Sequence, residues 1–150
     1  MKPKVQLSKI LVFFIVAAFT TLIAVPANAT ELTVYKSPTC DCCKKWVKHL
    51  RANGFKVKAY DVKNVVPYKI KHGVTKALAS CHTALVDGYT IEGHVPAVDI
   101  KRLLEEKPNV NGLAVPGMPI GTPGMEGRRK EAYDVLTFDA SGKTAVFSRH

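Results

Sequence analysis

The stretch Ser37-Pro38-Thr39-Cys40-Asp41-Cys42-Cys43-Lys44-Lys45-Trp46 decides how this chain is read, because it gathers three of the protein's four cysteines into four positions. A strand-like run, Leu32-Thr33-Val34-Tyr35, leads into it. An amphipathic helical pattern leads out, with Trp46, Val47 and Leu50 on one side and Lys44, Lys45, Lys48 and Arg51 on the other. Backbone N–H groups at a helix start are unpaired and carry partial positive charge, so they favour thiolate over thiol. Lys44 and Lys45, in the first turn, are expected to push the same way. Cys40 and Cys43 make a C-x-x-C pair, the spacing of disulfide redox sites. Cys42 changes that reading. A redox pair gains nothing from a third thiol, which would compete for the mixed disulfide, whereas a soft metal such as Cu(I) can be bridged or terminally bound by each sulfur.

Residues 1–29 read as a secretory signal. Lys2, Lys4 and Lys9 precede an apolar run, Ile10–Val25, and Ala27-Asn28-Ala29 forms an A-x-A cleavage site. The apolar run is shorter than the roughly 20 residues a bilayer span needs. No cysteine stands at the cleavage point, so a lipid anchor is not expected. The expected mature chain, 30–150, is one domain in the periplasm, with no membrane attachment after cleavage. Three of the lysines behind the net charge of +10 fall in the leader. The other basic residues are scattered rather than interleaved with aromatics, which argues against a nucleic-acid partner. Four cysteines in an oxidising compartment usually mean two disulfides. Here the crowding of Cys40, Cys42 and Cys43 speaks against that, since they cannot staple distant elements and a vicinal bond would be strained.

The mature chain then alternates elements. Asn53-Gly54 ends the first helix. Phe55–Asp61 reads as a second strand with Phe55, Val57 and Ala59 inward, parallel to the first. Asn64 starts a short helix running to His72, with Pro67 in its first turn. Thr83–Val86 and Tyr89–Glu92 form a hairpin around Asp87-Gly88, and a helix runs from Ala97 to about Lys107, stopped by Pro108. This β-α-β-α-β-β-α order is that of an α/β, thioredoxin-like core. In such folds the residues before the third strand face the cysteine loop, and thiol oxidoreductases keep a cis-proline there. This chain has Ser80-Cys81-His82 instead. Cys81 is therefore a candidate fourth thiolate across a pocket from the other three, or else a buried structural cysteine. From Pro108 to Ala132 no periodicity is visible, and a long Gly/Pro/Met loop is expected there. Met118 and Met125 lie in it, as soft ligands for Cu(I) or as core filler. A hairpin, Asp134–Phe138 and Thr144–Phe147, closes the chain.

Among the histidines, His94 sits in a turn before a helix start and is a candidate ligand. His82 neighbours Cys81 and is a plausible ligand or outer-shell partner. Against that, strand alternation would point it to the opposite side, so both readings stay open. His49 reads as solvated, His72 as a helix end, and His150 as terminal and without a role. No Ser/His/Asp set, carboxylate pair or phosphate loop stands out.

Four motifs, Tyr35-x-Ser37-Pro38-Thr39-Cys40-x-Cys42-Cys43-x-x-Trp46, Ser80-Cys81-His82-Thr83, Gly93-His94-Val95-Pro96-Ala97 and Gly117-Met118-Pro119-x-Gly121-x-Pro123-Gly124-Met125-Glu126, taken together resemble the CopG-type periplasmic copper-resistance family. The resemblance spans the mature chain. It implies a thioredoxin-like fold binding copper, as a multinuclear Cu(I)–thiolate site, through Cys40, Cys42, Cys43 and Cys81, with Met118, Met125 and His94 as further candidates. It also implies a role in tolerance to copper, often silver, beside copper efflux or chaperone proteins, and any catalytic activity would be redox. Asp41 departs from the family pattern, which has a small residue there, usually Gly. Two other readings remain open: a thiol–disulfide oxidoreductase using Cys40 and Cys43, and a structural zinc module, for which the trio is crowded.

Overall fold

The structure is a computed structural model that describes residues 29–150. The leader assigned to residues 1–29 lies outside the described residues but for its last position. Seven strands and three helices follow in the order β1 (Glu31–Lys36), α1 (Asp41–Ala52), β2 (Lys56–Asp61), α2 (Val66–Lys71), β3 (His82–Val86), β4 (Tyr89–Glu92), α3 (Ala97–Glu106), β5 (Gly112–Ala114), β6 (Asp134–Phe138) and β7 (Thr144–Arg149). They make one mixed sheet of strand order β2-β1-β3-β4-β5-β6-β7. β1 pairs in parallel with β2 and antiparallel with β3. Among the described residues no helix is long and apolar enough to cross a membrane.

Alternation along the strands divides the molecule into layers. Leu32, Val34, Ala84, Ile91 and Leu113 point to the face where Trp46, Val47 and Leu50 of α1 and Ile100 and Leu103 of α3 pack, forming the main core. On the opposite face Tyr35 stacks on Tyr68 of α2, ring centroids 4.0 Å apart. Farther along that face Val74 and Leu78 pack with Ala114 and Phe138. β2 is an edge strand, and this corrects the expectation for Ala59: Phe55 and Val57 are buried, but Ala59 is exposed where the core has ended.

The long loop also needs correction. Gly112–Ala114 forms β5, which pairs with β4 on one side and β6 on the other. A run of three residues is too short to show a period, and Gly112 is there for another reason: a Cβ on it would stand 1.7 Å from the carbonyl oxygen of Thr90. β5 joins the terminal hairpin to the rest of the sheet and shortens the loop to residues 115–133. Two histidines hold elements together where no role was expected. His49 Nε2 accepts from the Ala97 N–H at the start of α3, 3.1 Å away. His150 Nε2 lies 2.8 Å from Asp99 Oδ2 and its ring stacks on Tyr133.

Candidate metal centre

Cys40 is the N-cap of α1, and its sulfur accepts from the Cys43 N–H at 3.3 Å. The helix start therefore does offer one N–H to sulfur. Lys44, however, is tied to Asp41 Oδ1 at 2.9 Å, so the residue that departs from the family pattern engages the nearest lysine. Cys40 and Cys43 are joined in a disulfide, Cα atoms 5.3 Å apart. The chain thus carries one disulfide, and the C-x-x-C spacing is what permits it. Cys42 and Cys81 are free thiols.

Each sulfur of the disulfide has a free thiol beside it. Cys42 Sγ lies 3.4 Å from Cys40 Sγ, and Cys81 Sγ lies 3.4 Å from Cys43 Sγ. All four sulfurs fall within 4.8 Å of one another, and so do donor atoms of a second, overlapping group, Cys43, Cys81, His82 and His94. His94 Nδ1 donates to the Pro123 carbonyl at 2.7 Å. A carbonyl can only accept, so that bond fixes the tautomer and leaves a lone pair on Nε2. Nε2 points at Cys81 Sγ, 3.0 Å away. Of the two readings open for His82, the structure shows the one beside Cys81. β3 begins at His82, so Cys81 stands in the bend before it, where strand alternation does not yet apply. His82 Nδ1 lies 3.3 Å from Cys81 Sγ, and the ring lies over Trp46, centroids 4.2 Å apart.

Burial controls the chemistry of these groups. Burial, and then the neighbouring Cys42, push the Cys81 thiol up to about 12. At neutral pH it is a thiol, contrary to the simple expectation of preformed thiolates. Burial also holds both His82 and His94 below the ordinary imidazole range, so the rings are neutral and able to act as ligands. His82 Nε2 is buried without a hydrogen-bond partner. His82 Nδ1 and His94 Nε2, neutral nitrogens close to the Cys81 sulfur, fit a soft, thiophilic cation far better than an oxygen-loving one.

The methionine loop docks around this cluster at two points. Gly117 N–H donates to the Ala79 carbonyl at 3.4 Å, and Ser80 Oγ donates back to the Gly117 carbonyl. Gly124 fits against the start of α1 so closely that a Cβ on it would lie 2.6 Å from the Cys42 carbonyl oxygen and 2.9 Å from Trp46 N. Met118, one residue from the first contact, is 50% exposed, and Met125, one residue from the second, is partly exposed. Neither is core filler of the buried kind. A surface cavity of about 530 Å³ lined by Asn53, Phe55 and Leu104 includes none of the cysteines or histidines and gathers no comparable chemistry.

Two residues behind Cys81 escaped the sequence reading. Glu92 is fully buried, and Lys69 of α2, almost as deep, reaches it at 2.5 Å. Burial raises the Glu92 carboxyl, while Lys69, the Ser80 N–H and Thr83 draw it back down. Nothing in the strand pattern marks Glu92. A lysine on a short helix gives no signal either.

A family described as protein of unknown function, DUF411, matches residues 78–125, from just before Cys81 to Met125. No curated protein matches the chain. Two solved structures do, described as copper resistance protein copG, Form 1 and Form 2. Each is 44% identical to the chain, covers 81% of it, is itself covered over 98% of its length, and superposes with a TM-score of 0.77.

The chain belongs to the CopG copper-resistance family. In this CopG-family chain the cysteine cluster and its neutral histidines support a copper-related role.

Proposed function

We propose that the protein is an exported, periplasmic copper-binding protein of thioredoxin-like fold, which holds Cu(I) as a multinuclear thiolate site in resistance to copper and silver. Cys40, Cys42, Cys43 and Cys81 supply the sulfur, with His94, Met118 and Met125 completing the donor set. The observation that carries this reading is the approach of Cys81 Sγ to 3.4 Å from Cys43 Sγ and 3.0 Å from His94 Nε2. Four sulfurs so close can share ions, which suits Cu(I) and crowds a single tetrahedral zinc. The parallel β1-α1-β2 unit, the β3-β4 hairpin and α3 support the thioredoxin-like assignment. The basic, apolar and A-x-A leader supports export.

The Cys40–Cys43 pair also gives the site two electrons to exchange. Reduced, it can pass one electron to each of two Cu(II) ions, forming the disulfide and two Cu(I) and releasing its two thiol protons. That step is a redox conversion of copper within the same site. The efflux or chaperone proteins of the periplasm are the natural recipients of the Cu(I).

The disulfide favours one other reading, a thiol–disulfide oxidoreductase with Cys40 as nucleophile and Cys43 as resolver. Anaerobic reconstitution of the reduced chain with Cu(I), beside an insulin-reduction assay, separates the two. Binding of more than one Cu(I) per chain with negligible insulin turnover supports the copper reading. Insulin turnover that survives Cys42→Ser and Cys81→Ser, with weak copper binding, favours the alternative.

A further inference from the structure

A carboxylate with no solvent exposure is costly unless it is paired and its remaining lone pairs are bonded. Glu92, the last residue of β4, meets both conditions, and the partners it uses are informative. Its Oε1 accepts from Lys69 Nζ at 2.5 Å and from the backbone N–H of Ser80 at 2.6 Å. Its Oε2 accepts from Thr83 Oγ1 at 2.7 Å, and Lys69 Nζ also donates to Thr83 Oγ1 at 3.2 Å. Ser80 directly precedes Cys81, and Thr83 follows His82. One carboxylate therefore grips the chain on both sides of the Cys81-His82 pair.

The geometry sets the grip against the site. Thr83 and Glu92 are opposite one another in the β3-β4 ladder and face the α2 side of the sheet. His82, one residue away, faces α1 and Trp46. No cis peptide bond occurs among the described residues, so the bend before β3 is not shaped by one. What holds it is hydrogen bonding: the Ser80 N–H and Thr83 Oγ1 donate to Glu92, and Ser80 Oγ donates to the Gly117 carbonyl.

We infer that Glu92, held by Lys69, is a positioning residue that fixes Cys81 in contact with Cys43 and His94. It touches no sulfur itself and acts through the backbone of Ser80. The inference depends on the proposed copper site only for its consequence, which is weaker Cu(I) binding when the grip is lost.

A copper-free experiment decides it. In the full chain carrying Cys40→Ser and Cys42→Ser, only Cys43 and Cys81 remain. Equilibration with glutathione measures how well they are held together: the two thiols plus one oxidised glutathione give the Cys43–Cys81 disulfide and two reduced glutathiones. The effective concentration so obtained is a direct reading of positioning. With Glu92→Leu and Lys69→Met added, which leave no lone buried charge, it is expected to fall at least about tenfold. Glu92→Gln with Lys69→Met, which restores one acceptor, is expected to recover most of that loss. An unchanged value in the folded Leu/Met variant overturns the inference. If that variant does not fold, hydrogen exchange in the wild-type chain still decides: the Ser80 amide is expected to be protected at least about a hundredfold, and an unprotected Ser80 amide overturns the inference. Should wild-type chain bind no Cu(I), the proposed function fails, while the glutathione equilibrium still tests the grip.

Discussion

The sulfurs of Cys43 and Cys81, 38 residues apart in the chain, meet at 3.4 Å. One is carried by the first turn of α1 and the other by the bend before β3. β1 brings these points together, because it leads directly into the cysteine loop and pairs with β3 from Lys36–His82 onward. The contact is thus a product of sheet register, and side chains at the site test it separately from the fold.

Replacing Cys81 by Ser changes sulfur to oxygen in a partly exposed bend, so stability is expected to move by no more than about 1 kcal/mol. Cu(I) affinity is expected to fall at least about a hundredfold, since a hard hydroxyl replaces a soft ligand at the centre of the set. Thermal melts and competition with a Cu(I) chelator check the two halves.

Metal capacity is expected to depend on redox state. With the Cys40–Cys43 disulfide intact, two thiols are free, Cys42 and Cys81. A thiol assay on unfolded protein is expected to count those two before reduction and all four cysteines after it. Cu(I) uptake per chain rises with the second count.

Binding is also expected to strengthen with pH. Cys81 must lose its proton to ligate, and burial holds that proton until about pH 12. Between neutral pH and that value each unit of pH raises the apparent affinity by about tenfold for this proton alone. The sign for folding is opposite. A thiol whose value rises from 9.0 in the ordinary case to about 12 when folded stabilises the metal-free chain fully below pH 9.0 and loses that contribution as pH climbs to about 12. Chelator competition at several pH values and metal-free melts in alkaline buffer read these separately.

Gly124→Ala is expected to destabilise by roughly 1–3 kcal/mol. Gly124 has φ +91°, and an added Cβ would press on the Cys42 carbonyl oxygen and Trp46 N. The loop must lift, taking Pro123 from His94 and carrying Met125 with it. A lower melting temperature with weaker Cu(I) binding is the expected pair of results.

Much of the fold was legible because its signals are local. The helix stop at Asn53-Gly54, the Asp87-Gly88 hairpin and Pro67 in the first turn of α2 all stand where their chemistry places them. β5 was not, because three residues cannot show a period and only pairing with β4 and β6 makes them a strand. At the site, the cysteines declared themselves by spacing. His82 did not, since its direction depends on β3 starting one residue after Cys81. Glu92 and Lys69 were invisible for a different reason: a buried ion pair between a strand end and a short helix leaves no pattern in either segment.

X-ray absorption at the copper edge, on reduced full chain loaded anaerobically with Cu(I), tests the central claim most directly. The account predicts a first shell dominated by sulfur, with a copper neighbour in the next shell. A first shell of nitrogen and oxygen alone would contradict it.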